Sequence, residues 1–413
     1  MMKNKPIGLL LIALLWGSLG YSQSIDGLLQ KAYKNNPSLA ALLMEYEAIL
    51  QQGPQVRQLP NPQVGFGLPV LRPETRLGAQ TLGVSASQLF PWFGTLKTRE
   101  DIVLYMAKSK YEQWTAERLE IDFQIKSAYY QLYLLEAKQQ IIRQHIRIYE
   151  ALEKVALAKI ESGKSISSDV LKLRINIESL QQQLPLIDEE KQHYTAQINE
   201  ATHQPIDGSI TIQMPPLTVS SPTLDLSQYE QKIAANHPLI KALDWRIEAS
   251  HKTVILNTLN GKPSLGVGVD YSRVSGRTDA FPIDNGRDIL IPKVMVSIPL
   301  YRKKFTAKKK EETLKQDAMA LQKESLTQKM MGRIQRFLSN YETAILRHEL
   351  AQKQQTLSES AYEILLAEYR SNGNRFDELI ALQNDRLRYE IDQVTAVVQS
   401  HLAQFNIDRY TDF

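Results

Sequence analysis

The sequence predicts a mostly α-helical chain that lends four strands to a β-barrel. Three observations carry that reading: a tandem repeat, two very long helical stretches with paired apolar seams, and short segments of alternating apolar residues. Asn36-Pro37-Ser38-Leu39-Ala40-Ala41-Leu42 returns as His237-Pro238-Leu239-Ile240-Lys241-Ala242-Leu243, and Pro62-Gln63-Val64-Gly65-Phe66-Gly67 returns as Pro263-Ser264-Leu265-Gly266-Val267-Gly268. Both pairs lie 201 positions apart (238 − 37 and 263 − 62). Ala158-Lys159-Ile160-Glu161-Ser162-Gly163 matches Ala367-Glu368-Tyr369-Arg370-Ser371-Asn372-Gly373 at a spacing of 210 (373 − 163), so the second copy carries a small insertion. A unit of this length is no solenoid repeat; each copy is a whole supersecondary assembly.

The chain opens on an address label. Lys3 and Lys5 precede an apolar run from Ile7 to Trp16, followed by the small residues Gly17, Ser18, Gly20 and Ser22. That layout predicts a secretory signal peptide over 1–22, too short and wrongly flanked for a membrane span. With no cysteine in 413 residues, disulfides, thiolate metal sites and a lipid-modified cysteine are excluded. No other segment reaches the ~20 apolar residues a spanning helix needs, so a membrane-resident form must cross as strands. A net charge of +4 is too mild to argue for nucleic acid.

Each copy then reads helix, strand, strand, long helix, turn, helix. In repeat 1, over 23–203, a helix covers 24–58 and strands occupy 61–70 and 80–90. A long helix runs over 95–161, Gly163 turns the chain, and a last helix covers 166–203. In repeat 2, over 226–410, the same pieces fall at 226–260, 263–273, 288–300, 304–371 and 375–409. Pro60, Pro62, Pro91, Pro263, Pro292 and Pro299 mark the joints. Between the copies, 204–225 holds Pro205, Pro215, Pro216 and Pro222 and reads as an irregular linker.

The long helix of repeat 1 shows two seams. One follows heptad spacing through Tyr111, Trp114, Ile121, Ile125, Ala128, Leu132, Leu135, Ile142, Ile146 and Tyr149; the other runs through Leu134, Ala137, Ile141, Ile148, Ala151, Val155 and Ala158. An offset of two residues puts the seams ~200° apart around the axis. A helix with one seam makes a dimer, whereas opposite seams give it a neighbour on each side, as in the wall of a tube. The competing arrangement is a helix buried in an ordinary bundle, against which Lys126, Gln140, Arg143 and Arg147 stand on the remaining faces.

The strands alternate. Val64, Phe66, Leu68 and Val70, then Leu82, Val84 and Ala86, then Leu265, Val267 and Val269 interleave with small or polar residues, the pattern of a transmembrane barrel strand and also of a half-buried soluble hairpin. Aromatic residues favour the barrel: Phe90, Trp92 and Phe93 leave the second strand of repeat 1, and Tyr301 and Phe305 that of repeat 2, beside Lys97, Arg302, Lys303 and Lys304. Such a belt is what a bilayer interface selects. Four strands cannot close a barrel, whose smallest useful form has about eight. Open edges in lipid cost several kcal/mol per unsatisfied group. Three copies would give twelve strands and a matching twelve-column helical tube.

The duplicated strand–strand–long-helix unit, Leu59-Pro60-Asn61-Pro62 before the first strand, and Ser87-Gln88-Leu89-Phe90-Pro91-Trp92-Phe93-Gly94 after the second resemble the TolC family of outer-membrane efflux outlets. So do the two turn motifs, Gly163-Lys164-Ser165-Ile166-Ser167-Ser168-Asp169-Val170-Leu171 and Gly373-Asn374-Arg375-Phe376-Asp377-Glu378-Leu379. The Pro-Trp-Phe-Gly segment looks closest to the branch paired with heavy-metal or multidrug pumps.

The resemblance implies a homotrimer in the outer membrane of a Gram-negative bacterium, in which a 12-stranded β-barrel continues into a long periplasmic α-helical barrel. It implies no catalysis and no cofactor. Its implied partners are a periplasmic membrane-fusion adaptor, an inner-membrane efflux pump of the resistance-nodulation-division (RND) type, and outer-membrane lipid. The short segment after the last helix, Asp408 to Phe413, leaves the 204–225 linker to supply any collar around the tube.

The two tips, Gly163, Lys164, Ser165 and Ile166 with Gly373, Asn374, Arg375 and Phe376, are then the expected adaptor-docking surface. Each glycine would equally serve as a plain helix C-cap. Asp169, Asp377 and Glu378, with Arg370 and Arg375 as closing partners, are the expected entrance gate, since a ring of like charges attracts cations and repels itself unless paired. The two aspartates would equally suit the first turn of a helix.

An enzyme finds little support in the residues. The seven histidines show no paired ligand spacing, and the Gly65-x-Gly67 and Gly266-x-Gly268 pairs lie inside strands rather than opening helices. A soluble periplasmic coiled-coil scaffold or adaptor is the alternative class, and it would need no amphipathic strands. For a duct the cargo is what its pump delivers; type I protein secretion is the alternative cargo class.

Overall fold

The computed structural model describes residues 24–161, 163, 166–220, 226–372 and 374–413. The expected signal peptide, the tip residues Lys164, Ser165 and Gly373, and the end of the linker (221–225) lie outside the described residues.

Repeat 1 supplies α1 (Ile25–Asn35), α2 (Pro37–Leu50), α3 (Gln52–Val56), β1 (Gln63–Gly67), β2 (Glu74–Thr75), β3 (Gly78–Phe90), α4 (Thr95–Glu161) and α5 (Ser167–Ala201). Repeat 2 supplies α6 (Leu226–Asn236), α7 (Pro238–Asn260), β4 (Ser264–Ser275), β5 (Ile289–Ser297), α8 (Lys303–Asn372) and α9 (Phe376–Thr411). The sequence predicts one helix over 24–58 and one over 226–260; each is broken, and the break falls at the same place in both copies. Pro37 and Pro238 have no N–H to continue a helix and push the preceding residue out of the helical region. Asn36 (φ −68°, ψ 120°) and His237 (φ −61°, ψ 127°) are accordingly extended and cap the helix that follows. Asn36 Oδ1 accepts from the amides of Ser38 (2.9 Å) and Leu39 (3.2 Å), and His237 Nδ1 accepts from that of Leu239 (3.2 Å). The first strand is also shorter than 61–70, because Pro69 lacks a ladder donor.

Two compact units emerge, and each draws on both repeats. One comprises residues up to Lys34 with Gln124–Val219 and Ala344–Val398. Its core packs the distal halves of the long helices against the helices that return: Ile142, Tyr149, Leu152 and Ala156 of α4, Leu173 and Leu180 of α5, Leu366 and Tyr369 of α8, and Leu379 of α9. The first α4 seam is buried here, from Ile125 through Leu132, Leu135 and Ile142 to Tyr149. The second is covered only in part: Leu134 and Ala137 are buried, Ile148 and Val155 half-buried, Ala151 and Ala158 exposed. The linker residues up to Val219 lie along this unit. The Tyr133 hydroxyl donates to the Pro215 carbonyl (2.8 Å), Tyr129 Oη accepts from the Gln213 amide (2.8 Å), and Asn199 Nδ2 donates to the Gly208 carbonyl (2.7 Å).

The other unit comprises Asn35–Phe123, Ser220–Thr343 and Gln399–Phe413. Its helical core gathers Tyr229, Ile233, Ile240, Met330, Ile334, Ile407 and Tyr410. Its sheet is antiparallel in the order β1-β3-β4-β5, with β2 hairpinned onto β3. The two repeats are joined at the centre, where Ala86 faces Val269 and Ser85 faces Asp270. Alternation sorts the sheet into two faces. One carries Val64, Phe66, Val84, Ala86, Val267, Val269, Val294 and Val296; the other carries Gly65, Ser85, Ser87, Gly266, Gly268, Asp270 and Lys293. On the first face Phe66 is 78% and Val294 76% exposed, so a large apolar surface has no cover among the described residues.

Candidate functional site

At the first tip, α4 ends when the Gly163 amide donates to the Ile160 carbonyl (2.9 Å) and Gly163 turns left-handed, φ +71°. Ile166 is extended and exposed, and its carbonyl accepts from the Asp169 amide (3.0 Å) to open α5. At the second tip the left-handed residue is Arg375, φ +63°, whose carbonyl accepts from the Leu379 amide (3.0 Å) to open α9. Asn374 is exposed, while Phe376 turns inward to pack on Tyr369, ring centroids 5.3 Å apart.

The expected gate residues are drawn together only in part. Arg375 grips Glu378, its Nε donating to Oε1 at 3.0 Å, and reaches back to Glu368 of α8 with Nη1 donating to Oε2 at 3.0 Å. The guanidinium beside it holds the Glu378 carboxyl below the usual carboxylate range, and the two carboxylates raise the arginine further. Asp377 is paired across the tips with Lys172 of α5, whose ammonium is raised chiefly by that hydrogen bond. Asp169 is buried in the first turn of α5, close enough to add to the same field on Lys172. Arg370 lies exposed in the last turn of α8. Lys172 and Glu368 were missed by the sequence reading. The Arg375–Glu378 pair, three residues apart at a helix start, was readable from spacing; Lys172–Asp377 spans 205 positions.

Behind the tips the core is pinned by polar contacts. The Tyr149 hydroxyl donates to Asn384 Oδ1 (2.6 Å), and burial pushes it well above the ordinary phenol range. Gln383 Oε1 accepts from Arg386 (3.0 Å), which leaves its amide nitrogen to donate to the buried His145 Nδ1 (2.8 Å). Among the described residues no cluster of three or more His, Asp or Glu could hold a metal ion.

In the unit that holds the sheet, the expected aromatic belt gathers at one strand end. Phe90 closes β3, Trp92 and Phe93 follow it with rings edge-on at 6.2 Å, and Phe93 is 81% exposed. Past β5, Tyr301 is 85% exposed and Lys304 sits 4.8 Å over the Phe305 ring. No described helix is long and apolar enough to cross a membrane.

Known proteins share this arrangement. The solved outer-membrane channel OprN superposes with a TM-score of 0.72 at 16% identity, over 94% of this chain and 89% of that one. VceC, an outer membrane protein of Vibrio cholerae, gives 0.71 at 15% identity over 94% and 95%. The CmeC outer membrane channel of Campylobacter jejuni gives 0.70 at 14% over 94% and 85%. These likenesses establish the fold. No curated protein matches by sequence. The family model described as outer membrane efflux protein matches residues 28–202, all but the start of repeat 1. Over most of repeat 1 the chain is thus similar to the outer membrane efflux protein family, and the shared fold extends the likeness over both repeats.

Proposed function

We propose that the chain is the outer-membrane outlet of a tripartite efflux system, a homotrimer that passes what an inner-membrane pump and a periplasmic adaptor deliver. The observation that carries it is the sheet: an exposed apolar face and two edges, β1 and β5, at which the strand order stops. Unpaired backbone edges in lipid cost several kcal/mol per group, so β1 of one chain pairs with β5 of the next and three chains close twelve strands. The part-covered second seam of α4 supports the same assembly, since Ala151 and Ala158 offer a close, small-residue contact to a neighbouring helix. The belt residues, Phe90, Phe93 and Tyr301 exposed and Trp92 and Phe305 half-buried, sit at the periplasmic headgroup level. An exposed apolar sheet favours this reading over a soluble scaffold.

The tips are the adaptor-docking end. Gly163 leaves its surroundings open, with nothing within 4 Å of where a Cβ would stand, so a partner helix can approach the backbone. Arg375, Glu378, Lys172 and Asp377 hold that end shut at rest. The pump is of the RND type. The test is assembly: protein extracted from outer membranes in detergent should have three times the mass of one chain by light scattering. A monodisperse monomer with intact secondary structure overturns the reading.

A further inference from the structure

The geometry points to a charge-balanced filter inside the barrel: we propose that Lys293 of β5 and Asp270 of β4, repeated by each chain, form a ring of paired charges that lets solutes of either sign pass. This rests on the proposed trimeric barrel and names the residues that set its selectivity.

The face assignment comes from register. Lys293 stands opposite Gly268, and Asp270 lies two residues further along β4 on the same side of the sheet, opposite Ser85 of β3. The other side bears the exposed valines and Phe66, and Arg273 on that side lies past the end of the β4–β5 ladder. A lysine or aspartate turned to lipid is costly, so the side that carries both charges faces water.

The sheet is shaped to hold the pair. A Cβ on Gly268 would stand 3.0 Å from Lys293 Cε and 2.9 Å from the Ala86 carbonyl oxygen. One on Gly266 would stand 3.1 Å from Met295 Cε. The missing side chains thus form a trough in which the lysine stem lies flat on bare backbone. Its ammonium is thereby delivered to Asp270, with Nζ donating to Oδ1 at 2.5 Å. Around the pair this face offers Ser85, Ser87, Ser272, Gly65 and Gly83, with Ile291 opposite Asp270 and Met295 two residues past Lys293, none of them charged. The two side chains are 34% and 38% exposed, so neither hides the other from a passing solute. Each masks its partner's field, and three such pairs leave the bore at this level with no net charge.

The purified trimer in planar bilayers tests this through the cation-to-anion permeability ratio in a KCl gradient. Lys293→Gln leaves three unmasked carboxylates and should raise the ratio about twofold or more; Asp270→Asn leaves three unmasked ammoniums and should lower it by a similar factor. Shifts in the same direction, or none, overturn the proposal. Should either neutral variant fail to insert, the swapped pair Lys293→Asp with Asp270→Lys keeps the ion pair and should match the wild-type ratio; a changed ratio overturns it. The absence of native cysteine allows a second readout. A membrane-impermeant charged maleimide should label Lys293→Cys and spare Val294→Cys in outer membranes; the reverse pattern overturns the face assignment. If the wild-type protein is a monomer that forms no channel, the duct reading fails. Labelling still reports which face is wet.

Discussion

Lys172 of α5 and Asp377 of α9 form an ion pair that ties the start of one returning helix to the start of the other. Both side chains are substantially exposed, so solvent screens the pair and it adds little to stability. Its position is what matters, since in a trimer three such ties would girdle the narrow end. Lys172→Ala and Asp377→Asn should each raise the resting conductance of the reconstituted channel and leave its melting temperature unchanged. The swapped pair Lys172→Asp with Asp377→Lys should return the conductance to the wild-type level. A Lys172→Ala channel that stays as closed as wild type shows that the tie does not hold the entrance.

Arg375 combines two opposed contributions. Its left-handed backbone costs a non-glycine residue about 1 kcal/mol or more, while its side chain clamps Glu368 and Glu378. Glycine removes the strain and the clamp together; alanine removes only the clamp. Arg375→Gly should therefore melt at a higher temperature than Arg375→Ala, although both lose the same ion pairs. Equal melting temperatures would mean that the backbone strain is not felt.

How much of this was legible beforehand follows from the range of each interaction. The 67 residues of α4 were readable end to end because heptad spacing and the absence of interior Pro or Gly are local signals. The apolar face of the sheet, Val64 through Val269, was readable because strand alternation is also local. The breaks at Pro37 and Pro238 are local signals as well, since a proline removes a helix donor and pushes the residue before it out of the helical region. Lys172–Asp377, Lys293–Asp270 and Arg375–Glu368 needed the fold. Lys172 meets Asp377 only because two hairpins lie side by side, and the Gly268 trough is seen only once β5 is laid against β4.

The two faces of the sheet should respond oppositely to the same substitution. Phe66→Lys puts a charge on the apolar face, which costs about 2–4 kcal/mol near the bilayer midplane and falls off toward the interfaces. Ser87→Lys places it on the face shared with Gly268 and Asp270, where water accepts it. Phe66→Lys should lower the yield of heat-modifiable trimer on gels several-fold, and Ser87→Lys should leave it near wild type. If both are equally tolerated, the exposed valines and Phe66 do not face lipid.

His237 sets a pH limit on the start of α7. As the cap of α7 its Nδ1 must accept the Leu239 amide, which a protonated ring cannot do. Burial, helped by the nearby Arg409 charge, pushes its pKa down to about 4, and the ring lies between Tyr410 and Phe413. The unfolded chain takes up this proton near pH 6.5 and the folded one only near 4. The neutral cap's contribution is therefore complete above about 6.5 and is lost progressively as pH falls toward 4, at most about 3 kcal/mol in all. The other repeat supplies the control, because Asn36 caps α2 at the equivalent position with a side chain that does not titrate. His237→Asn should keep the cap at pH 7 and flatten the decline between pH 6.5 and 4 in denaturant melts; His237→Ala should lose stability at both pH values. A wild-type decline that persists unchanged in His237→Asn would assign the acid sensitivity to other groups.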